Sequence, residues 1–430
     1  MIGKNNVARN DFRKMMNNLT TQKEEKSMKH IYLLVFAALT LLTGSLYAQK
    51  FEGLALTPPM GWNSWNTFAC NVDEALIREM ADAMVSSGLK DAGYTYIVID
   101  DCWHGQRDSL GFIHPDSQRF PSGIKALSDY VHSKGLKFGI YSCAGDKTCG
   151  GRPGSRGHEY QDAFTYAQWG VDYLKYDWCN TTGLNSVGAY TTMRDALFAA
   201  GRPIVFSLCE WGDTRAWEWA KDVGHLWRTT GDITDCFDCE VKHGTWSSWG
   251  IMKIVEMRKD IRRYAGPGHW NDPDMMEVGR GMSLSEDRAH FSLWCMMASP
   301  LIAGNDLRSV KKETIEILTN KEMLAVNQDS LGIQGYRYDA KDSLEVWVKP
   351  LMKDDWAVCF LNRSAQSQKI DFDWSKNVVT DTLAHRTLNT KETVFTLRNL
   401  WTKKNIGSTK KNLQAVIPAH DVFVVRLGKK

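Results

Sequence analysis

Four times in this chain a helix-like segment ends at a glycine, a short apolar run follows, and the run stops at a polar or acidic residue. The glycines are Gly93, Gly135, Gly170 and Gly201, spaced by 42, 35 and 31 residues. That interval fits one strand plus one crossover helix. The first helical segment reads as a capping box, Asn71 with Glu74, then Leu76, Ile77, Met80, Ala83 and Met84 on one face, with Gly88 suited to its C-terminal cap. The next helices carry Ile124, Leu127 and Val131, then Phe164 and Trp169, then Met193 to Phe198. The runs between them are Tyr96 to Ile99, Leu136 to Tyr141, the segment ending at Asp177, and Pro203 to Leu208. Near-continuous apolar strands alternating with helices imply a parallel sheet covered on both faces. Adding the short runs at Trp62, Leu226 to Arg228, His269-Trp270 and Leu301 to Ala303 gives eight strands. The expected fold is therefore an α/β (β/α)8 TIM barrel rather than an open doubly wound sheet. No G-x-G-x-x-G follows any strand, which argues against a dinucleotide site.

In such a barrel the C-terminal strand ends form the active-site face. The acids fall there: Asp100 and Asp101, Asp177, Glu210, Asp232 after the Arg228 strand, and Asp272 and Asp274 after Trp270. Within Tyr173 to Asn180, Lys175 and Asp177 are two residues apart, so an extended strand puts them on one face. An ammonium beside Asp177 favours its charged form, as a carboxylate nucleophile needs. The 17 tryptophans suit either a sugar-lined pocket or a core.

Past Gly335 the texture changes to short alternating runs such as Leu344 to Val348, Trp356 to Leu361 and Val422 to Val425, with no helical period. Residues 336–430 read as an antiparallel β-sandwich that packs against the barrel of residues 49–335. At the other end, Met28-Lys29-His30, an apolar run and Tyr47-Ala48-Gln49 describe a secretory signal peptide over 28–48, with cleavage after Ala48. Residues 1–27 read as an upstream extension. The expected destination is secreted or periplasmic. Residues 1–48 carry seven Lys or Arg and three Asp or Glu, so removing this +4 from the whole-chain +3 leaves about −1. The basicity lies in the presequence, and no nucleic-acid partner or membrane surface is implied for the mature chain. Ten cysteines in an exported protein make disulfides possible. Cys236-x-x-Cys239 lacks a second ligand pair at zinc spacing, and no metal or cofactor is expected.

An acid-lined, tryptophan-rich pocket suits glycoside hydrolysis, in which two carboxylates flank the scissile bond. The motifs also resemble a known family, the α-galactosidases or melibiases of glycoside hydrolase family 27. The matching stretches are Thr57 to Trp65, Ile99 to Trp103, Gly139 to Ser142, Leu174 to Asp177, Cys209 to Gly212, Trp227-Arg228 with Asp232, Gly266 to Met275, Ser299 to Leu301, Asn327 to Asp329 and Ile417 to His420. The resemblance implies a retaining exo-glycosidase that removes terminal α-D-galactosyl residues. Asp177 would be the nucleophile forming a covalent glycosyl-enzyme, helped by Lys175. Asp232 would be the general acid and then base. Arg228 and Glu210 would meet the 2-hydroxyl and Asp100 and Asp101 the 4- and 6-hydroxyls, while Trp62, Cys179, Trp211 and Asp274 would complete the subsite.

Glu210-Trp211 stands where N-acetylgalactosaminidases have a small residue, and the intact Asp100-Asp101 favours galactose over β-L-arabinopyranose. Those two specificities, and a non-catalytic galactoside-binding protein, are the alternatives. The resemblance further implies disulfides Cys70–Cys102 and Cys149–Cys179 and a reduced Cys209. Cys236, Cys239, Cys295 and Cys359 stay open between core residues and a local loop bridge. The leaving group and the oligomeric state are not set by the sequence.

Overall fold

The computed structural model describes residues 13–16, 49–257 and 260–429. Residues 13–16 form a short helical turn. The remainder of 1–48, with the expected signal peptide and cleavage point, lies outside the described residues.

Eight parallel strands curl into one sheet: β1 (Met60–Asn63), β2 (Tyr96–Val98), β3 (Lys137–Cys143), β4 (Tyr173–Asp177), β5 (Val205–Cys209), β6 (Leu226–Arg228), β9 (Trp270–Asp272) and β10 (Leu301–Ala303). A small antiparallel hairpin, β7 (Glu240–Lys242) with β8 (Ser247–Trp249), rises from the loop after β6. The sheet order is β9-β6-β5-β4-β3-β2-β1-β10. Its two end strands are joined where the chain after β9 bridges β10, Met276 pairing with Ala303 and its N–H donating to Ile302 O at 2.7 Å. The eight strands expected from the sequence are those found, arranged as a TIM barrel.

The crossover helices are α1 (Glu74–Ser86), α2 (Gly123–Ser133), α3 (Glu159–Trp169), α4 (Ser186–Ala199), α5 (Ile251–Met257) and α6 (Leu284–Met296). On α1 the expected face, Leu76, Ile77, Met80, Ala83 and Met84, is buried. The cap differs from expectation. Asp73, not Asn71, is the N-cap and accepts the Leu76 N–H at 2.8 Å, while Glu74 turns to Arg78 and the Ser122 N–H. An acceptor one residue before the helix reaches its third N–H, whereas Asn71 lies too far upstream. A capping box does form on α6, between Ser283 and Glu286. Gly170 ends α3 at φ 81°, a left-handed conformation that costs glycine nothing and lets the chain turn straight into β4.

The C-terminal domain is built on a six-stranded antiparallel sheet, faced by the pair Gln368–Phe372 and Leu413–Ile417. Alternation splits its strands between two cores. Val346, Val348, Val358 and Phe360 pack within the domain, whereas Trp347, Cys359, Leu361 and Val424 join the barrel core. On the barrel-facing side, Lys349 is wholly buried and donates to Cys295 O and Val326 O, and burial lowers its pKa to about 8. No helix among the described residues is long and apolar enough to cross a membrane.

Candidate active site

The C-terminal strand ends bring the predicted acids together because adjacent parallel strands are in step there. Across β3, β4 and β5, Cys143 pairs with Asp177 and Asp177 with Cys209. Asp177 is buried, its Oδ1 accepting the Trp178 N–H (2.9 Å) and its Oδ2 the Tyr141 hydroxyl (3.0 Å). Lys175 acts on Asp177 in the expected direction, favouring its charged form, without making a direct ion pair with it. Lys175 Nζ reaches across to Asp100 Oδ2 at 2.8 Å, and Asp177 feels it only through space. Burial wins over that attraction and over the hydrogen bonds, so the Asp177 pKa is pushed up to about 6.

Asp100 is held by Lys175, by Asn63 Nδ2 (2.7 Å) and, through its own N–H, by Ser64 Oγ (3.0 Å). Asp101 accepts from the Cys102 and Gly150 N–H groups, each at 2.6 Å, and burial raises its pKa. A Cβ on Gly150 would lie 3.0 Å from the Asp101 carboxylate and 2.8 Å from Cys102 Sγ, so this loop can dock on Asp101 only as glycine.

Arg228 is the electrostatic centre of the opposite side. It is wholly buried, with Nη2 2.8 Å from Asp274 Oδ2 and 3.0 Å from Asp232 Oδ1. Asp232 is the open member, its side chain 42% exposed. Asp272 lies beneath, with burial raising its pKa to about 6. Asn63, Lys175, Cys209, Arg228, Asp272 and Asp274 line a water-sized cavity of about 30 Å³ among the strand ends.

Trp62 is fully buried on β1, donating to Asn305 O at 2.7 Å. Trp211 is partly exposed beside Glu210. The Glu210 carboxylate is taken up by its own loop: it accepts from the N–H groups of Gly212, Thr214 and Ala216 and from Thr214 Oγ1. Four donors fill the capacity of a carboxylate, so a sugar hydroxyl would have to displace one. Four non-glycine residues here have left-handed backbones: Cys102 (φ 76°), Asn180 (φ 55°), Trp211 (φ 58°) and Asp274 (φ 91°). Each conformation costs about 1–3 kcal/mol and turns the chain abruptly at a strand end.

Disulfides Cys70–Cys102 and Cys149–Cys179 are formed as the resemblance implied, and Cys236–Cys239 closes a local loop. Cys209, Cys295 and Cys359 are free and buried. The Cys149–Cys179 sulfurs lie within 4.8 Å of an Asp177 carboxylate oxygen. Tyr141, Asn63 and Gly150 were not singled out from sequence as site residues. The usable signal for Tyr141 was its place in the strand next to β4, in register with Lys175.

Carboxylates that differ this much in burial and partners are what cleavage of a glycosidic bond requires, and with the barrel they define the class as a glycoside hydrolase. Comparison with known proteins narrows this. Residues 57–329 match the family described as alpha galactosidase A, and residues 341–427 match the alpha galactosidase C-terminal beta sandwich domain. The chain is 60% identical over 383 residues to alpha-galactosidase A of Cellvibrio japonicus, covering 89% of this chain and 95% of that protein. Alpha-galactosidase I of Mortierella vinacea superposes with a TM-score of 0.81 at 38% identity, covering 87% and 98% of the two chains. The Saccharomyces cerevisiae alpha-galactosidase with raffinose superposes at 0.82 with 32% identity, covering 88% and 99%. The chain belongs to the α-galactosidases of glycoside hydrolase family 27.

Proposed function

We propose that this α-galactosidase is a secreted, retaining exo-enzyme that removes terminal α-D-galactosyl residues from oligosaccharides. The observation that carries the reading is the contrast between Asp177, buried at the end of β4, and Asp232, partly open and gripped by Arg228. Asp177 attacks the anomeric carbon as the glycosidic C–O bond breaks, and Asp232 gives its proton to the leaving oxygen. The Asp232 carboxylate then takes a proton from water, whose oxygen displaces Asp177 and regenerates both groups. Asp100, Asp101, Lys175, Arg228, Glu210, Trp62, Cys179, Trp211 and Asp274 form the galactose subsite in this reading. The raffinose held by the yeast relative supports an α-galactosyl oligosaccharide as substrate. Three disulfides suit an oxidising compartment and support cleavage after Ala48 and export, with a barrel over 49–335 and a sandwich over 336–430.

The test is release of nitrophenol from p-nitrophenyl α-D-galactoside, α-N-acetylgalactosaminide and β-L-arabinopyranoside, with product anomers followed by NMR. Preferential cleavage of the galactoside with α-galactose released first is expected. Faster cleavage of either other glycoside, or β-galactose as first product, would overturn the corresponding part.

Asp177 must be ionised to attack, so kcat/KM should fall as the pH drops below about 6. Tyr141→Phe removes a hydrogen bond to the ionised form, worth roughly one pH unit. It should move the acid limb of the pH–rate profile upward by about that amount. A limb that stays put or moves down would contradict the assignment.

A further inference from the structure

The loop that carries Asp232 contains a feature the galactose subsite does not use. Its two-stranded hairpin, β7 and β8, returns to the Asp232 segment through one parallel bridge. The Trp249 N–H donates to Asp232 O, the Thr234 N–H donates to Trp249 O, both at 2.9 Å, and Ile233 bridges Trp249 in parallel. Side chains alternate along each strand, and bridged partners point to the same face. Ile233 and Trp249 therefore share one face, and Asp232 shares the other with Ser248. His243 joins that second face by a hydrogen bond between its Nε2 and Ser248 Oγ (2.9 Å), and it stacks on Trp246 with ring centroids 4.1 Å apart.

Trp246 is 52% exposed even so, with exposed Val241 beside it on β7. Trp246 stands one residue before β8 and two from Ser248, a spacing of roughly 7 Å in extended chain that alternation puts on the Asp232 side of the hairpin. The base is braced by the Cys236–Cys239 disulfide, with Gly250 N–H donating to Cys239 O and Ile251 N–H to Cys236 O.

We propose that the His243–Trp246 pair is a binding platform for the sugar rings of the leaving oligosaccharide, stacked on the apolar face of a pyranose beyond the bond that Asp232 protonates. The proposal rests on the assignment of Asp232 as the acid, because the leaving group departs on that side. An indole offers a flat apolar surface at little conformational cost, the His243 imidazole stacks on it, and the Ser248 hydroxyl holds the imidazole.

The experiment compares kcat/KM on raffinose with that on α-galactosyl fluoride, whose leaving group has no ring, for wild type, Trp246→Ala, His243→Ala and Trp246→Phe. The raffinose-to-fluoride ratio should fall roughly three- to tenfold in Trp246→Ala, the worth of one aromatic contact, through a rise in the KM for raffinose. It should fall less in His243→Ala and recover most of the loss in Trp246→Phe. An unchanged ratio in Trp246→Ala would overturn the platform, whether or not both rates drop together. If wild type cleaves the fluoride and Asp232→Asn depresses raffinose and fluoride hydrolysis equally, the acid assignment fails instead, and the platform loses its basis with it.

Discussion

Asp177→Asn should abolish hydrolysis of p-nitrophenyl α-D-galactoside, by about 10⁴-fold or more, and should at the same time make the protein more stable at pH 7. Both effects have one origin. A carboxylate in this position is costly to bury, which is why its pKa is pushed up to about 6. Between the ordinary carboxylate value and pH 6 the folded protein binds more protons at this site than the unfolded chain. Its contribution to stability is therefore fully present below the unfolded pKa and is lost as the pH rises through 6. At neutral pH the ionised group costs up to about 3 kcal/mol. Asparagine removes the charge, keeps an oxygen for the Trp178 N–H and can donate to the Tyr141 hydroxyl. Chemical denaturation at pH 7 should show a gain of about 1–3 kcal/mol that shrinks toward zero near pH 4. Residual activity near wild type would remove Asp177 from the role of nucleophile, and loss of stability at pH 7 would overturn the account of its buried charge.

Arg228→Met should destabilise the protein by about 3–5 kcal/mol. Arg228 is the cation against which Asp274 and Asp272 are buried, and its Nη2 also holds Asp232. A methionine fills similar space but leaves those carboxylates uncompensated. Because burial has already raised the pKa values of Asp272 and Asp274, protonation relieves the defect, so the loss should be larger at pH 7.5 than at pH 5. Asp232, freed from its anchor, should lose its aim at the leaving oxygen, lowering kcat by about 10² or more. Denaturation midpoints at the two pH values, with kcat on the nitrophenyl galactoside, check both parts. A loss that grows toward acid pH would contradict this account of the buried charges.

The recurrence of helix, glycine, apolar strand and terminal acid was readable because each part depends on local rules: a period near 3.6, a left-handed glycine and a fully buried strand. It set the barrel, the strand carrying each acid and the face on which they meet. Motif likeness added the two disulfides beside the site and the expected division of roles between Asp177 and Asp232. The cap of α1 shows how narrow the local margin is, since Asp73 and Asn71 both carry suitable side chains and only the actual helix start distinguishes them.

What only the tertiary structure decided are the pairings made across strands. Lys175 and Asp177 share a face, as alternation requires, yet Lys175 finds Asp100 because the curled sheet carries β2 and β4 toward a common axis with β3 between them. Arg228 meets Asp274 from the neighbouring strand, Tyr141 meets Asp177 from the other side, and Glu210 folds back on its own loop. The His243–Trp246 pair shares a face with Asp232 only because a hairpin returns to the segment it left. Each pairing depends on stagger and closure, which join residues far apart in the chain. Local periodicity fixes the direction in which a side chain points, while sheet closure fixes which charge it finds there.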